Sequence, residues 1–284
     1  MALCLSLKNA GIPFKALHFN HNLRTNAANE EKWLKDLCRS WGVEFISGQW
    51  QVAPSSKGRT QEEARAARYE FFTHACKRHN LSHLLVAHTR DDIAETVLMR
   101  LFYGSGLTGL KGITPVKEES GFTLHRPLLG TTRGVLRAYL EENNQPWLED
   151  PSNYKADYVR VRARHWLKQM PDDLTDALLD MAEKNTELDA ALKVHMEKYK
   201  TMLYFEGEKR VTIQPTVLDL PDYARARLFK KVFRRLQPTR YPPRPQKQHR
   251  LIQALKAGDK PHSVGEVTFI WQEGAIIATP EAAG

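Results

Sequence analysis

Leu84-Leu85-Val86-Ala87 runs directly into His88-Thr89-Arg90-Asp91-Asp92-Ile93-Ala94-Glu95-Thr96. The apolar run predicts a buried strand, and the polar stretch predicts a helix start carrying a histidine and three carboxylates. In an open α/β sheet, ligands bind where the carboxyl ends of strands meet the first turns of helices, because polar groups and free backbone N–H donors converge there. Asp91 and Asp92 fall in the first turn, where negative charge suits the helix dipole, and Glu95 follows one turn on. Three carboxylates on one helical end can hold Mg²⁺, which takes oxygen ligands. The alternative is a capped surface helix with the usual acidic bias at its start.

Outward from this junction, strands and helices alternate. Residues 14–19 and 43–46 read as strands with a helix over about 26–41 between them, and a helix over about 61–79 precedes the 84–87 strand. That order implies an α/β, doubly wound parallel sheet. Gly104, Gly106, Gly109 and Gly112 mark a loop, and a helix is predicted over about 132–143. Beyond Arg164 the pattern turns to helices, over about 174–204, 223–236 and 249–257. Residues 267–271 and 275–278 around Glu273-Gly274 read as a terminal β-hairpin. The boundary falls near residue 168, giving domains 1–168 and 169–284.

The chain has 284 residues, 42% of them hydrophobic, enough for two cored domains. No apolar run approaches the ~18 residues of a membrane span, so a soluble protein is expected. Cys4, Cys38 and Cys76 are odd in number and contain no CxxC pair, which speaks against disulfides, zinc ribbons and clusters and fits a reducing cytoplasm. The short apolar start has no basic n-region and does not read as a signal peptide. Net charge is +9, and residues 225–250 hold ten Lys or Arg and no Asp or Glu. A second basic group comprises Lys155, Arg160, Arg162, Arg164 and Lys168. Either alone suits a solvated face; two beside a phosphate-type site favour nucleic acid.

Seven segments now stand in a telling order: His18-Phe19-Asn20-His21-Asn22-Leu23-Arg24, Glu63-Ala64-Arg65-Ala66-Ala67-Arg68-Tyr69, the 88–96 motif, Gly104-Ser105-Gly106-Leu107-Thr108-Gly109-Leu110, Arg126-Pro127-Leu128-Leu129, Glu149-Asp150-Pro151-Ser152-Asn153 and Tyr158-Val159-Arg160-Val161-Arg162-Ala163-Arg164. In this order the chain resembles the tRNA(Ile)-lysidine synthetases, N-type ATP pyrophosphatases, closely over about residues 1–165 and loosely beyond. The resemblance implies that ATP adenylates C2 of the wobble cytidine (position 34) in the isoleucine tRNA with a CAU anticodon. L-lysine then displaces AMP to give lysidine. It further implies ATP with Mg²⁺ held by Asp92 and Glu95, supported by His88 and Asp91. Arg65 and Arg68 would reach phosphate, since guanidinium forks match its oxygens. His18, Asn20, His21 and Arg24 would serve the nucleotide site, and Arg126, Asp150, Asn153, Arg160 and Arg164 the substrate side. Arg234, Arg235 and Arg244 represent the tRNA-binding basic segment. Pairing of Arg65 and Arg68 with Glu62 and Glu63, a strand-end role for His88, and an Asp150–arginine ion pair remain open alternatives.

The chain departs from the family at its start. The resemblance implies a hydrophobic strand and a Ser-Gly-Gly-x-Asp-Ser loop ahead of Met1-Ala2-Leu3, so upstream codons for them are expected. The 284 residues taken alone are expected to be inactive. Val161 also differs from what many members carry. Two further readings are a tRNA 2-thiolation enzyme, which the unpaired cysteines disfavour, and a non-catalytic tRNA-binding fragment.

Overall fold

The computed structural model describes residues 1–21, 27–50, 61–149, 159–238, 242–258 and 260–281. The chain divides into two units, Met1–Glu187 and Leu188–Gly284. Helix α7 (Asp172–Met196) crosses the division, which lies beyond the boundary read near residue 168. Leu174, Leu178, Met181 and Ala182 on the first half of α7 pack against Ala94 and Val97 of α4 (Arg90–Phe102), which ties that half to the first unit.

The first unit alternates helix and strand as the sequence implies: α1 (Ala2–Asn9), β1 (Lys15–Asn20), α2 (Ala27–Ser40), β2 (Glu44–Gln49), α3 (Gln61–Arg78) and β3 (His83–Leu85) lead to α4. The hairpin β4 (Val116–Glu119) and β5 (Phe122–His125) follows, then α5 (Arg133–Glu142) and α6 (Val159–Gln169). β1 and β2 are parallel, in register from Lys15–Glu44 to Asn20–Gln49. β3 is parallel to β5, and β4 is an antiparallel edge strand. The ladders form two sheets, β1–β2 and β3–β5–β4, and no described strand joins β1 to β3.

Packing positions the site. Cys76 of α3 is buried with Leu84, Phe122 and Leu124, and Leu17 of β1 lies against them, so α3 covers both sheets. α1 buries Ala2 and Leu5 on Leu140 of α5. The glycine-rich passage after α4 is anchored from one side chain: Arg100 Nη1 donates to the carbonyl oxygens of Gly109 and Gly112. Gly112 has φ +68°, and a Cβ there would meet Ile93 Cγ2 at 2.8 Å, so both its backbone and its lack of a side chain are required.

The second unit contains more strand than the sequence suggested. The helix expected over 174–204 is α-helical to Met196 and continues as a 3-10 helix over Glu197–Met202, after which β6 (Leu203–Glu206) and β7 (Arg210–Ile213) form a hairpin around Gly207. β6 shows why it was misread: Leu203 is buried, Tyr204 is exposed and Phe205 is half-buried, a period-two pattern too short to stand out after a long helix. The expected terminal hairpin is present as β9 (Val267–Gln272) and β10 (Ala275–Pro280). With β8 (His262–Val264) it completes a five-stranded antiparallel sheet, β6–β7–β10–β9–β8. α8 (Asp222–Leu236) and α9 (Pro245–Ala257) cover it, burying Phe229, Phe233, Leu251 and Leu255 against Ile213, Phe269 and Ile276. Among the described residues no helix is long and apolar enough to cross a membrane.

Candidate active site

α4 begins as the sequence implies. Thr89 is its N-cap, and a capping box closes the first turn: the Thr89 backbone N–H and hydroxyl both donate to Asp92 Oδ2, each at 2.8 Å. Asp91 points elsewhere, its Oδ2 accepting the Arg133 backbone N–H at 2.9 Å and so capping α5.

The carboxylates on the inner face of α4 meet three arginines. Arg133 Nη2 reaches Asp92 Oδ1 and its Nη1 reaches Glu95 Oε1, both at 2.6 Å. Arg160 Nη2 also donates to Asp92 Oδ1 at 3.1 Å, and its Nε to Glu95 Oε2 at 2.9 Å. Arg164 Nε donates to Glu95 Oε1 at 2.8 Å. Arg160 and Arg164 are one turn apart on α6, so a single helix face delivers both. The Glu95 side chain is 1% exposed. Burial alone would raise the Asp92 and Glu95 carboxyls; the Arg133 guanidinium, with Thr89 and Arg160 at Asp92 and Arg164 at Glu95, outweighs it and holds both below their ordinary values.

This geometry does not fit the expected Mg²⁺ ligation by Asp92 and Glu95. All four carboxylate oxygens are occupied by N–H or O–H donors, and a divalent cation would face three guanidinium groups. Among the described residues no three His, Cys, Asp or Glu side chains are grouped to hold a metal. The carboxylates instead orient the arginines, leaving a cationic cluster at the helix start.

His88 and Arg126 form a second layer. Buried Arg126 donates from Nη1 to the Thr114 carbonyl at 2.7 Å and from Nε to His88 Nδ1 at 3.3 Å. A guanidinium only donates, so His88 Nδ1 accepts and the ring proton sits on Nε2. Burial lowers the His88 pKa to about 4; Asp92 opposes this while Arg126, Arg160 and Arg65 reinforce it. Its unfolded value is the ordinary 6.5, so the unfolded chain takes up this proton first as pH falls. The stability held by neutral His88 is therefore complete above about 6.5 and is lost as pH drops towards about 4. An NMR titration should find the His88 ring neutral at pH 5.5; protonation above pH 6 would show that Arg126 does not hold it.

The other expected residues divide. His18 and His21 line a cavity of about 1330 Å³ together with Arg68, Asp92, Glu95, Arg133 and Arg164. Asn20 is buried and donates to Glu31 Oε2 at 3.0 Å, a strand-end role. Arg65 bonds the Tyr69 hydroxyl at 3.2 Å and lies over its ring. The buried Nε of Arg68 has no hydrogen-bond partner among the described residues. Arg24, Asp150 and Asn153 lie outside the described residues. In the second unit Arg234 and Arg235 end α8 and Arg244 caps α9; all three are exposed, with Arg235 Nη2 donating to the Gly207 carbonyl at 2.9 Å. Sequence reasoning missed Arg133, whose only signal was its place after the Thr132 cap of α5.

A PP-loop domain model matches residues 1–170. The chain belongs to the PP-loop family. The relatives of this PP-loop chain include a "tRNA(Ile)-lysidine synthase" of Chlamydia caviae, 31% identical over 198 residues, covering 68% of this chain and 62% of that protein. Proteins of the same name from Rhodopseudomonas palustris and Thermotoga maritima are 38% and 29% identical, over 62% and 74% of this chain and 51% of each relative. The match thus spans about half to three-fifths of these relatives' length. In fold, the PP-loop chain is similar to a U34-tRNA thiolase, NcsA, from Methanococcus maripaludis, solved with its [4Fe-4S] cluster: TM-score 0.54, 14% identity, 66% of each chain covered.

Proposed function

We propose that the protein is an ATP-dependent tRNA-modifying ligase of the cytoplasm, joining L-lysine to C2 of the wobble cytidine of isoleucine tRNA with a CAU anticodon. The observation that carries this reading is the arginine cluster held by Asp92 and Glu95 inside the cavity of a PP-loop domain whose curated relatives are named tRNA(Ile)-lysidine synthases. Cytidine O2 attacks the α-phosphate of ATP and pyrophosphate departs; lysine's ε-amine, having lost a proton, then attacks C2 and AMP leaves. Negative charge grows on the phosphates in the first step. Arg133, Arg160 and Arg164, already oriented by carboxylates, absorb it without reorganising. His88, with its proton on Nε2, is a donor at the strand end. Mg²⁺ accompanying ATP would need oxygen donors other than Asp92 and Glu95, whose four oxygens each already accept a hydrogen bond from Thr89 or an arginine.

The thiolation alternative gains nothing from the cysteines. Burial raises the thiols of Cys4, Cys38 and Cys76, which disfavours the thiolate that sulfur transfer uses.

The test is lysine- and tRNA-dependent AMP formation by the protein expressed from its complete reading frame. Sulfur incorporation into tRNA, or AMP formation independent of lysine, would overturn the reading. On the second unit, neutralising Arg234, Arg235 and Arg244 should flatten the log–log salt dependence of tRNA binding by roughly two to three units, at ~0.7–0.9 per phosphate contact. An unchanged slope would mean that this face is only solvated.

A further inference from the structure

The end of α4 and the outer face of α6 expose large aromatic side chains. Phe102 is 61% exposed, Tyr103 67% and Trp166 49%, and the Phe102 and Trp166 rings meet edge to face with centroids 5.4 Å apart. Soluble proteins seldom leave such rings together in water without a partner. The surrounding charge says which partner. From Arg100 to Thr114 there are two cations and no carboxylate, and α6 has four Lys or Arg and none. Arg160 and Arg164 turn towards Glu95, while Arg162, one turn before Trp166, is exposed and forms no ion pair with a described residue. Aromatic faces interleaved with unneutralised guanidinium suit unpaired nucleobases and their phosphates.

We propose that Phe102, Tyr103 and Trp166, with Arg162, form a stacking platform for the unpaired bases next to the reacting cytidine; this rests on the tRNA reading above. Trp166 also lines the cavity that holds Arg133 and Glu95, so a loop stacked on this platform brings its neighbouring nucleotide to the cavity mouth. Arg100, two residues before Phe102, bonds the Gly109 and Gly112 carbonyls and so ties the loop after α4 to the end of that helix.

The test compares full-length protein and its Trp166→Ala, Trp166→Phe and Phe102→Ala variants for binding to a hairpin RNA with a CAU loop, and to the same hairpin made abasic at the A and U. Trp166→Ala and Phe102→Ala should each weaken binding of the intact loop by about tenfold or more. The salt slope should not change. Trp166→Phe should recover most of the loss, and the abasic hairpin should bind all four proteins alike. Equal binding of the intact loop by all four, or equal losses on both hairpins, overturns the platform while leaving the ligase reading in place. So does a dimer that the variants abolish without changing RNA affinity, since the patch then joins two copies of the chain. Failure of the unaltered protein to bind either hairpin overturns both.

Discussion

Glu95→Ala is expected to destabilise the first unit by about 3–5 kcal/mol, the scale of breaking a buried ion pair from one side. The Glu95 side chain is 1% exposed and accepts from three guanidinium groups, so its loss leaves Arg133, Arg160 and Arg164 converging with only Asp92 among them. Thermal melting of the variant should shift by many degrees, and a second change, Arg160→Ala, should restore part of the shift by relieving repulsion. A Glu95→Ala protein that melts like the unaltered one would mean that the arginines do not depend on this carboxylate. Had Glu95 been a metal ligand open to solvent, the same change would have spared stability and removed activity alone.

Arg133→Ala is expected to leave the fold nearly intact and to cut lysine-dependent AMP formation by about a hundredfold or more, the cost of losing a preorganised charge contact. The separation of effects follows from the bonds that remain. Glu95 keeps Arg160 and Arg164, Asp92 keeps Thr89 and Arg160, and Asp91 is bound to the Arg133 backbone rather than its side chain. Arg133→Lys should recover little, because a single ammonium cannot bridge two carboxylates as the planar fork does. Activity within about threefold of the unaltered protein would remove Arg133 from the site.

The helix start at Thr89 was legible because cap chemistry is local: a threonine followed three residues later by an aspartate, after an apolar run, leaves the backbone few options. The alternation of β1, α2, β2, α3 and β3 was legible for the same reason, each element carrying its own periodicity. What a carboxylate faces is a tertiary fact. Asp92 and Glu95 read as metal ligands in the sequence, but α5 and α6, some forty and seventy residues on, bring guanidinium groups to three of their four oxygens, and Thr89 takes the fourth. Arg133 was invisible because nothing near it in sequence shares its partners. In the second unit β6 and β7 are four residues each, shorter than a window can separate from the end of α7.

The separation of β1–β2 from β3–β5–β4 bears on how the first unit breathes. Strands within one ladder open together, since each hydrogen bond lost exposes the next; no ladder links these two sheets among the described residues. Among the described residues side-chain packing couples them, Leu17 lying against the cluster of Cys76, Leu84, Phe122 and Leu124. Apolar contact of that kind is not directional and tolerates small sliding, whereas backbone pairing does not. In the 284 residues taken alone, the β1–β2 ladder, bearing His18 and His21, is therefore expected to exchange its amides with solvent independently of the ladder under α4.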